Sequence, residues 1–221
     1  MTLSVISLSA AIISAIIIAI DLWRKPQSMR IMNAVWVLTA LWGSVLGLVA
    51  YFWFGRERNT MSMDMGGMSM GDMKMPQRAK WQSVTLSTLH CGAGCTLADI
   101  LGSMVLFVIP MSLGGGWAFT YVLALVIGVY FQFVAIREMS SDSTSTILKR
   151  AIKADFLSLT SWQVGMYGWL ALLMFHFHSI PTASTMSYDF WFAMQQAMVA
   201  GFVLALPMNY LLIRTGVKSG M

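Results

Sequence analysis

Charge is what this sequence lacks most. Only 10% of its 221 residues are Asp, Glu, Lys or Arg, against about 25% in an ordinary soluble domain. So few charges cannot wet a globular surface, which argues against a soluble enzyme, and the apolar content excludes a disordered chain. The excess of base over acid, +5, is too thin and scattered for a nucleic-acid footprint, so no nucleic-acid partner is expected. Cysteine is nearly absent too: two residues cannot make a disulfide scaffold. No Walker motif, Gly-rich phosphate loop or Asp-Lys-Thr signature occurs. The chain therefore carries no ATP-driven pump of its own.

What is abundant is apolar. Hydrophobic residues make up 57% of the chain, and mean hydropathy is +0.70. Crossing ~30 Å of hydrocarbon takes about 20 apolar residues as a helix. Six runs qualify, at residues 3–20, 31–54, 84–110, 117–136, 156–177 and 190–213. The expected fold class is an all-α polytopic membrane bundle of about six helices, one integral domain over residues 1–221. The first run has no Lys or Arg before it and no small-x-small site after it, which reads as a retained anchor. Residues 147–155 (ILKRAIKAD) are amphipathic and are expected to lie on the surface ahead of the fifth span.

Six crossings would put eleven Lys and Arg on the side of both termini and three (Arg24, Lys25 and Arg30) on the other. The positive-inside rule then predicts both termini in the cytoplasm of a bacterial inner-membrane, multi-pass protein.

Methionine is the second abundance, with 20 residues. Residues 59–80 form an expected flexible loop between spans two and three. Its segment MSMDMGGMSMGDMKM holds Met61, Met63, Met65, Met68, Met70, Met73 and Met75 among Ser, Gly, Asp and Lys. Such a segment cannot build a core. Thioethers are soft ligands that select Cu(I), with Ag(I) as its mimic, over zinc or magnesium. A Met-rich linker with no ligand is the plainer alternative.

The third span contains HCGAGCTLAD, residues 90–99. In a helix, Cys91, Cys95 and Asp99 fall on one face, one turn apart. Two thiolates so placed can converge on one soft ion, with His90 as a neighbouring ligand, whereas an intrahelical disulfide wants closer Cβ atoms. Gly92 and Gly94 thin the helix for a close neighbour. Redox chemistry and plain packing stay open for the two thiols. Asp99, a carboxylate inside a span, is a functional candidate by default.

Other polar or sulfur groups at membrane depth are candidate pathway residues: Met32 and Asn33 in span two, Asp155, Gln163 and Met166 in span five, and Met194, Gln195 and Met198 in span six. Asp155 also suits an N-terminal cap of the fifth span. Met stripes at helical spacing also suit packing. His176 and His178 alternate at the end of span five and do not chelate together on a helix.

The motifs HCGAGCTLADI, KADFLSLTSWQVGMYGW, FWFAMQQAM and LPMNYLLIRTGVK, with the opening RKPQSMRIMNAVWVLTALWG, together resemble a bacterial membrane family known as domain of unknown function 4396. The resemblance covers nearly all the chain except the Met-rich loop and implies a polytopic inner-membrane protein. It brings no activity, so function rests on the site.

The expectation is a Cu(I)-binding inner-membrane protein that moves the ion. The Met loop recruits it, Cys91 and Cys95 hold it, and Asp99 accepts a proton or sets the local field. A copper chaperone and a second copy of the chain are the candidate partners beside the bilayer. The rivals are a membrane thiol-disulfide oxidoreductase and a copper-delivery factor without transport.

Overall fold

The computed structural model describes residues 2–56, 79–139, 142–177 and 187–218. The methionines of residues 61–75 and His178 lie outside these. The described chain is all-α: α1 (Thr2–Arg24), α2 (Arg30–Ala50) closing in a π-helical turn (Tyr51–Gly55), α3 (Lys80–Val108), α4 (Leu113–Met139), α5 (Thr144–Ala171) closing in a second π-helical turn (Leu172–His176), and α6 (Tyr188–Arg214). The expected helical bundle is found, and five apolar runs became helices within a few residues of their expected ends.

Local chemistry sets those ends. Pro26 separates α1 from α2, and Pro110 follows the last turn of α3, where the residue before proline disfavours helix. The Ser187 hydroxyl caps α6 by accepting from the Phe190 amide at 3.1 Å. Arg24, Arg137 and Arg214 sit in last turns, where a cation meets the negative end of the dipole. Within the spans, the Thr88 and Thr96 hydroxyls donate to carbonyls four residues back, each at 2.8 Å, so neither is left bare in an apolar setting.

Among the described residues, five helices are long and apolar enough to cross a membrane by length and composition alone: Thr2–Arg24, Arg30–Gly55, Lys80–Val108, Leu113–Glu138 and Tyr188–Arg214. Their outward faces carry exposed Ile6, Ile13, Ile16, Leu46, Val126 and Val203. These apolar helices and faces mark a multi-pass membrane protein. The remaining helix, α5, is more polar because Asp155, Ser158 and Gln163 point into the bundle. It is also longer than expected. The amphipathic segment 147–155 is not a separate surface helix but the first part of α5, so Asp155 stands eleven residues past Thr144. It is not an N-terminal cap.

A larger departure is inside α2. Ser44 has φ 48° and ψ −131°, a conformation that L residues disfavour. There the helix folds back on itself. The Trp36 ring lies 5.4 Å from Tyr51 and 5.8 Å from Phe54, centroid to centroid, although a straight helix would part residues 36 and 54 by about 27 Å. The Gln27 side chain donates to the Gly55 carbonyl at 3.2 Å, closing the mouth of the hairpin. A break inside a membrane strands helix-end carbonyls, and a neighbour must serve them. Gln195 of α6 does so, donating to the Leu41 carbonyl at 2.8 Å. Gln195 in turn accepts from Ser7 of α1 at 2.8 Å.

The re-entrant α2 changes the topology. α1 and α6 run side by side in the same direction, with Ser4 on Asp189 at 2.5 Å and Ser7 on Gln195. The start of α1 therefore lies at the opposite end of the bundle from the end of α6, which corrects the expectation that both termini share a side. It also regroups the charges. Arg24, Lys25, Arg30, Arg56, Lys80, Arg137, Lys149, Arg150, Lys153, Arg214 and Lys218, every described Lys and Arg, gather at one end. We call this the basic end. Both flanks of the Met-rich loop, Arg56 and Ala79, are there too.

The core is built where small residues admit a large one. Trp162 of α5 is fully buried between Gly92 of α3 and Gly201 of α6. A Cβ at either glycine would overlap its ring. This close approach brings α3, α5 and α6 together around the site.

Candidate cation site between α3, α5 and α6

Cys91 lies eleven residues into α3, about 16 Å from its first residue at helical rise, and is fully buried. Its thiol donates to Asp155 Oδ1 of α5 at 2.9 Å and lies 3.0 Å from the Ser158 hydroxyl. A third group arrives from beyond α6. The Lys218 ammonium donates to Cys91 Sγ at 2.9 Å, to Asn209 Oδ1 at 3.0 Å and to the Ser87 carbonyl at 3.4 Å. It stands 3.9 Å from Asp155 Oδ1, with neither side chain more than 1% exposed.

The C-terminal turn of α6 explains how Lys218 gets there. Gly216 adopts a left-handed φ of 70°, and the Val217 and Lys218 amides both return to the Leu212 carbonyl at 3.0 and 3.1 Å. Glycine is the residue that takes this conformation without strain. The turn reverses the chain and sends the Lys218 side chain back into the bundle. Ammonium and carboxylate offset each other, which makes a charge tolerable at this depth.

One turn further along α3, Cys95 is also fully buried and accepts from Gln163 Nε2 at 3.6 Å. The expected shared face of Cys91 and Cys95 is thus present, turned toward α5. His90 is elsewhere. Its ring packs edge-on against Phe131 of α4 at 6.1 Å, and neither ring nitrogen meets hydrogen-bond geometry among the described residues. It faces away from the two thiols' partners on α5. No group of three or more His, Cys, Asp or Glu poised for a metal occurs among the described residues.

Asp99, a further turn on, enters a different setting. It lines a cavity of about 350 Å³ between α1, α3 and α6, with Trp42, Trp191, Met194, Gln195 and Met198. Asp99 is 3% exposed, and its Oδ2 has no hydrogen-bond partner among the described residues. Met198 Sδ accepts from Trp162 Nε1 at 3.4 Å. Leu41 and Trp42, at the break in α2, form part of the same wall.

The other candidates have structural settings. Met32 and Met166 are buried in the core. Asn33 Oδ1 accepts from the Gln27 amide at 2.9 Å and fastens the α1–α2 link. His176 packs edge-on against Phe177 at 5.0 Å. Sequence reasoning missed Lys218 and Ser87 as parts of the site. One faint signal was present: Asn209, a lone amide in an apolar run, needs a partner, and the lysine after Gly216 supplies it.

A six-helix membrane bundle with an inward ion pair, two buried thiols and a broken helix beside a cavity defines the class, an α-helical integral membrane protein. Within that class the chain belongs to the family described as Domain of unknown function (DUF4396), whose model matches residues 80–218. The match takes in α3 to α6 and every residue around the Lys218 ammonium. The opening motif of α2 lies outside it, so it covers less of the chain than the resemblance implied. Comparison with curated proteins and with solved structures gave no match.

Proposed function

We propose that this protein binds Cu(I) and carries it across the bacterial inner membrane. The observation that carries the reading is the placement of sulfur. Cys91 and Cys95 on α3, then Met198 and Met194 on α6, lead from the basic end toward the cavity that holds Asp99. Soft thiolates and thioethers are the donors Cu(I) prefers. A discontinuous helix beside a cavity is also a feature with which membrane carriers hold substrate.

In this reading the basic end is cytoplasmic by the positive-inside rule. The Met-rich loop leaves from and returns to that end, so it collects the ion on the cytoplasmic side. Cys91 and Cys95 pass it inward, Met198 and Met194 receive it, and Asp99 supplies the negative charge. The thiol-disulfide alternative is disfavoured by the complete burial of both thiols, because exchange needs access for an attacking sulfur.

The test is ion flux. Vesicles holding the purified chain should take up Cu(I) or Ag(I), and the Cys91→Ser protein should not. Bound metal without flux points to a delivery factor. Failure of the intact chain to bind either ion sinks the reading.

A further inference from the structure

We propose that Cys91, Asp155, Asn209 and Ser87 form a monovalent-cation site whose occupant in this structure is the chain's own Lys218. Four acceptors surround one ammonium: a carboxylate oxygen at 3.9 Å, a thiol sulfur at 2.9 Å, an amide oxygen at 3.0 Å and a main-chain carbonyl at 3.4 Å. They come from α3, α5 and α6, three separate elements, so the enclosure is not a local by-product of one helix. An incoming cation would meet the same charge and the same donors.

The tether is short and reversible in form. Lys218 follows α6 by four residues and hangs on a single glycine-based turn at the basic end. A structural salt bridge would serve as well with any base fixed on a helix. Here the base is carried on a post-helical segment that can leave without unwinding a span. While Lys218 is seated, Cys91 is closed to an ion from the basic end. When a soft monovalent cation takes its place, the ammonium withdraws to the aqueous side and the Cys91 proton passes to Asp155 Oδ1, to which the thiol already donates, so the net charge in the cage is unchanged by the exchange.

The identity of the competing ion rests on the Cu(I) reading. The existence of the cage does not. Two arms separate them, both on the full chain in detergent. In a Cys95→Ser background, Lys218→Ala should raise the rate of Cys91 alkylation by N-ethylmaleimide at least tenfold. Propylammonium, which replaces the missing side-chain atoms and charge, should bring the rate back to within threefold of the parent, and propanol should not. An unchanged rate in folded Lys218→Ala, or equal protection by propanol, overturns the proposal.

If Lys218→Ala does not fold, the wild type decides. Lys218 should resist acetylation by an amine-directed ester and become labelled, by mass spectrometry, as Ag(I) is titrated to saturation. Continued protection at saturation overturns the tethered-cation assignment and leaves the Cu(I) reading standing. If Ag(I) does not bind at all, the Cu(I) reading falls, and acetylation of Lys218 in its absence judges the cage: slow labelling supports it, and labelling as fast as an exposed lysine overturns it.

Discussion

Two carboxylates inside one bundle meet opposite fates. Asp155 is closed in by a thiol and an ammonium, and no cavity is needed to hold them. Asp99, two turns along α3 from Cys91, faces a space of about 350 Å³ with no counter-charge among the described residues, although each of the two carboxylates keeps one oxygen without a hydrogen bond there. The basic half is closed and charge-balanced, whereas the other half is hollow and its carboxylate lacks a counter-charge among the described residues. Low-dielectric surroundings make a satisfied ion pair rigid and an unpaired group costly. The proposed carrier role would use this asymmetry, with one half closed by Lys218 and the other hollow.

The sharpest way to break the comparison is to unpair the sealed half. Asp155→Asn leaves the Lys218 ammonium buried without its counter-charge. We expect a loss of about 3–5 kcal/mol of stability, as for other broken buried pairs, read as a fall in the denaturation midpoint in detergent. A midpoint within a degree of wild type would mean that Asp155 does not hold Lys218 in place when no competing cation is present, and that the half is not sealed.

The wall of the hollow half can be tested at Ser44, whose backbone sits at φ 48°. Ser44→Val forces a β-branched residue into that conformation and should cost about 1–3 kcal/mol. Ser44→Gly should be neutral or slightly stabilising. If valine is harmless, α2 is straight in the membrane and the re-entrant fold is wrong.

Asp99→Asn is the counterpart of Asp155→Asn and should behave differently. No partner among the described residues is lost, so stability should stay within about 1 kcal/mol of wild type or rise, while Cu(I) flux falls. Equal destabilisation by the two substitutions would erase the distinction. The smallest structural effect belongs to removal of residues 61–75. Folding should be unaffected and uptake reduced only at low copper, measured as initial rate against ion concentration. A loss of expression would assign that segment a structural role.

Much of this was legible because membrane helices are written in long apolar runs bounded by charge and proline. Cys91 and Cys95 share a face because helical geometry leaves no choice at a four-residue spacing. The reversal in α2 was not legible. Its apolar run is unbroken, and Gly43-Ser44 is ordinary inside a straight span. The stray charges Arg24, Lys25 and Arg30 were the clue, since they disobeyed the positive-inside pattern until the hairpin returned them to the basic end. Lys218 was hidden for the opposite reason. A lysine after a last helix reads as an interfacial anchor, and only the left-handed turn at Gly216 sends it inward. His90 shows the limit of adjacency: a neighbour in sequence stands about 100° around the helix, and here that turns it to α4.

The most direct test of the central claim is the Cu(I)-to-protein ratio after anaerobic loading, with residues 61–75 replaced by serine and glycine so that their sulfurs do not contribute. The account predicts stoichiometric metal in the parent, a drop of at least tenfold for Cys91→Ser or Cys95→Ser alone, and little further loss in the double variant, because one missing arm already defeats two-coordinate binding. Stoichiometric copper in the folded double variant would remove both thiols from the mechanism and contradict the account.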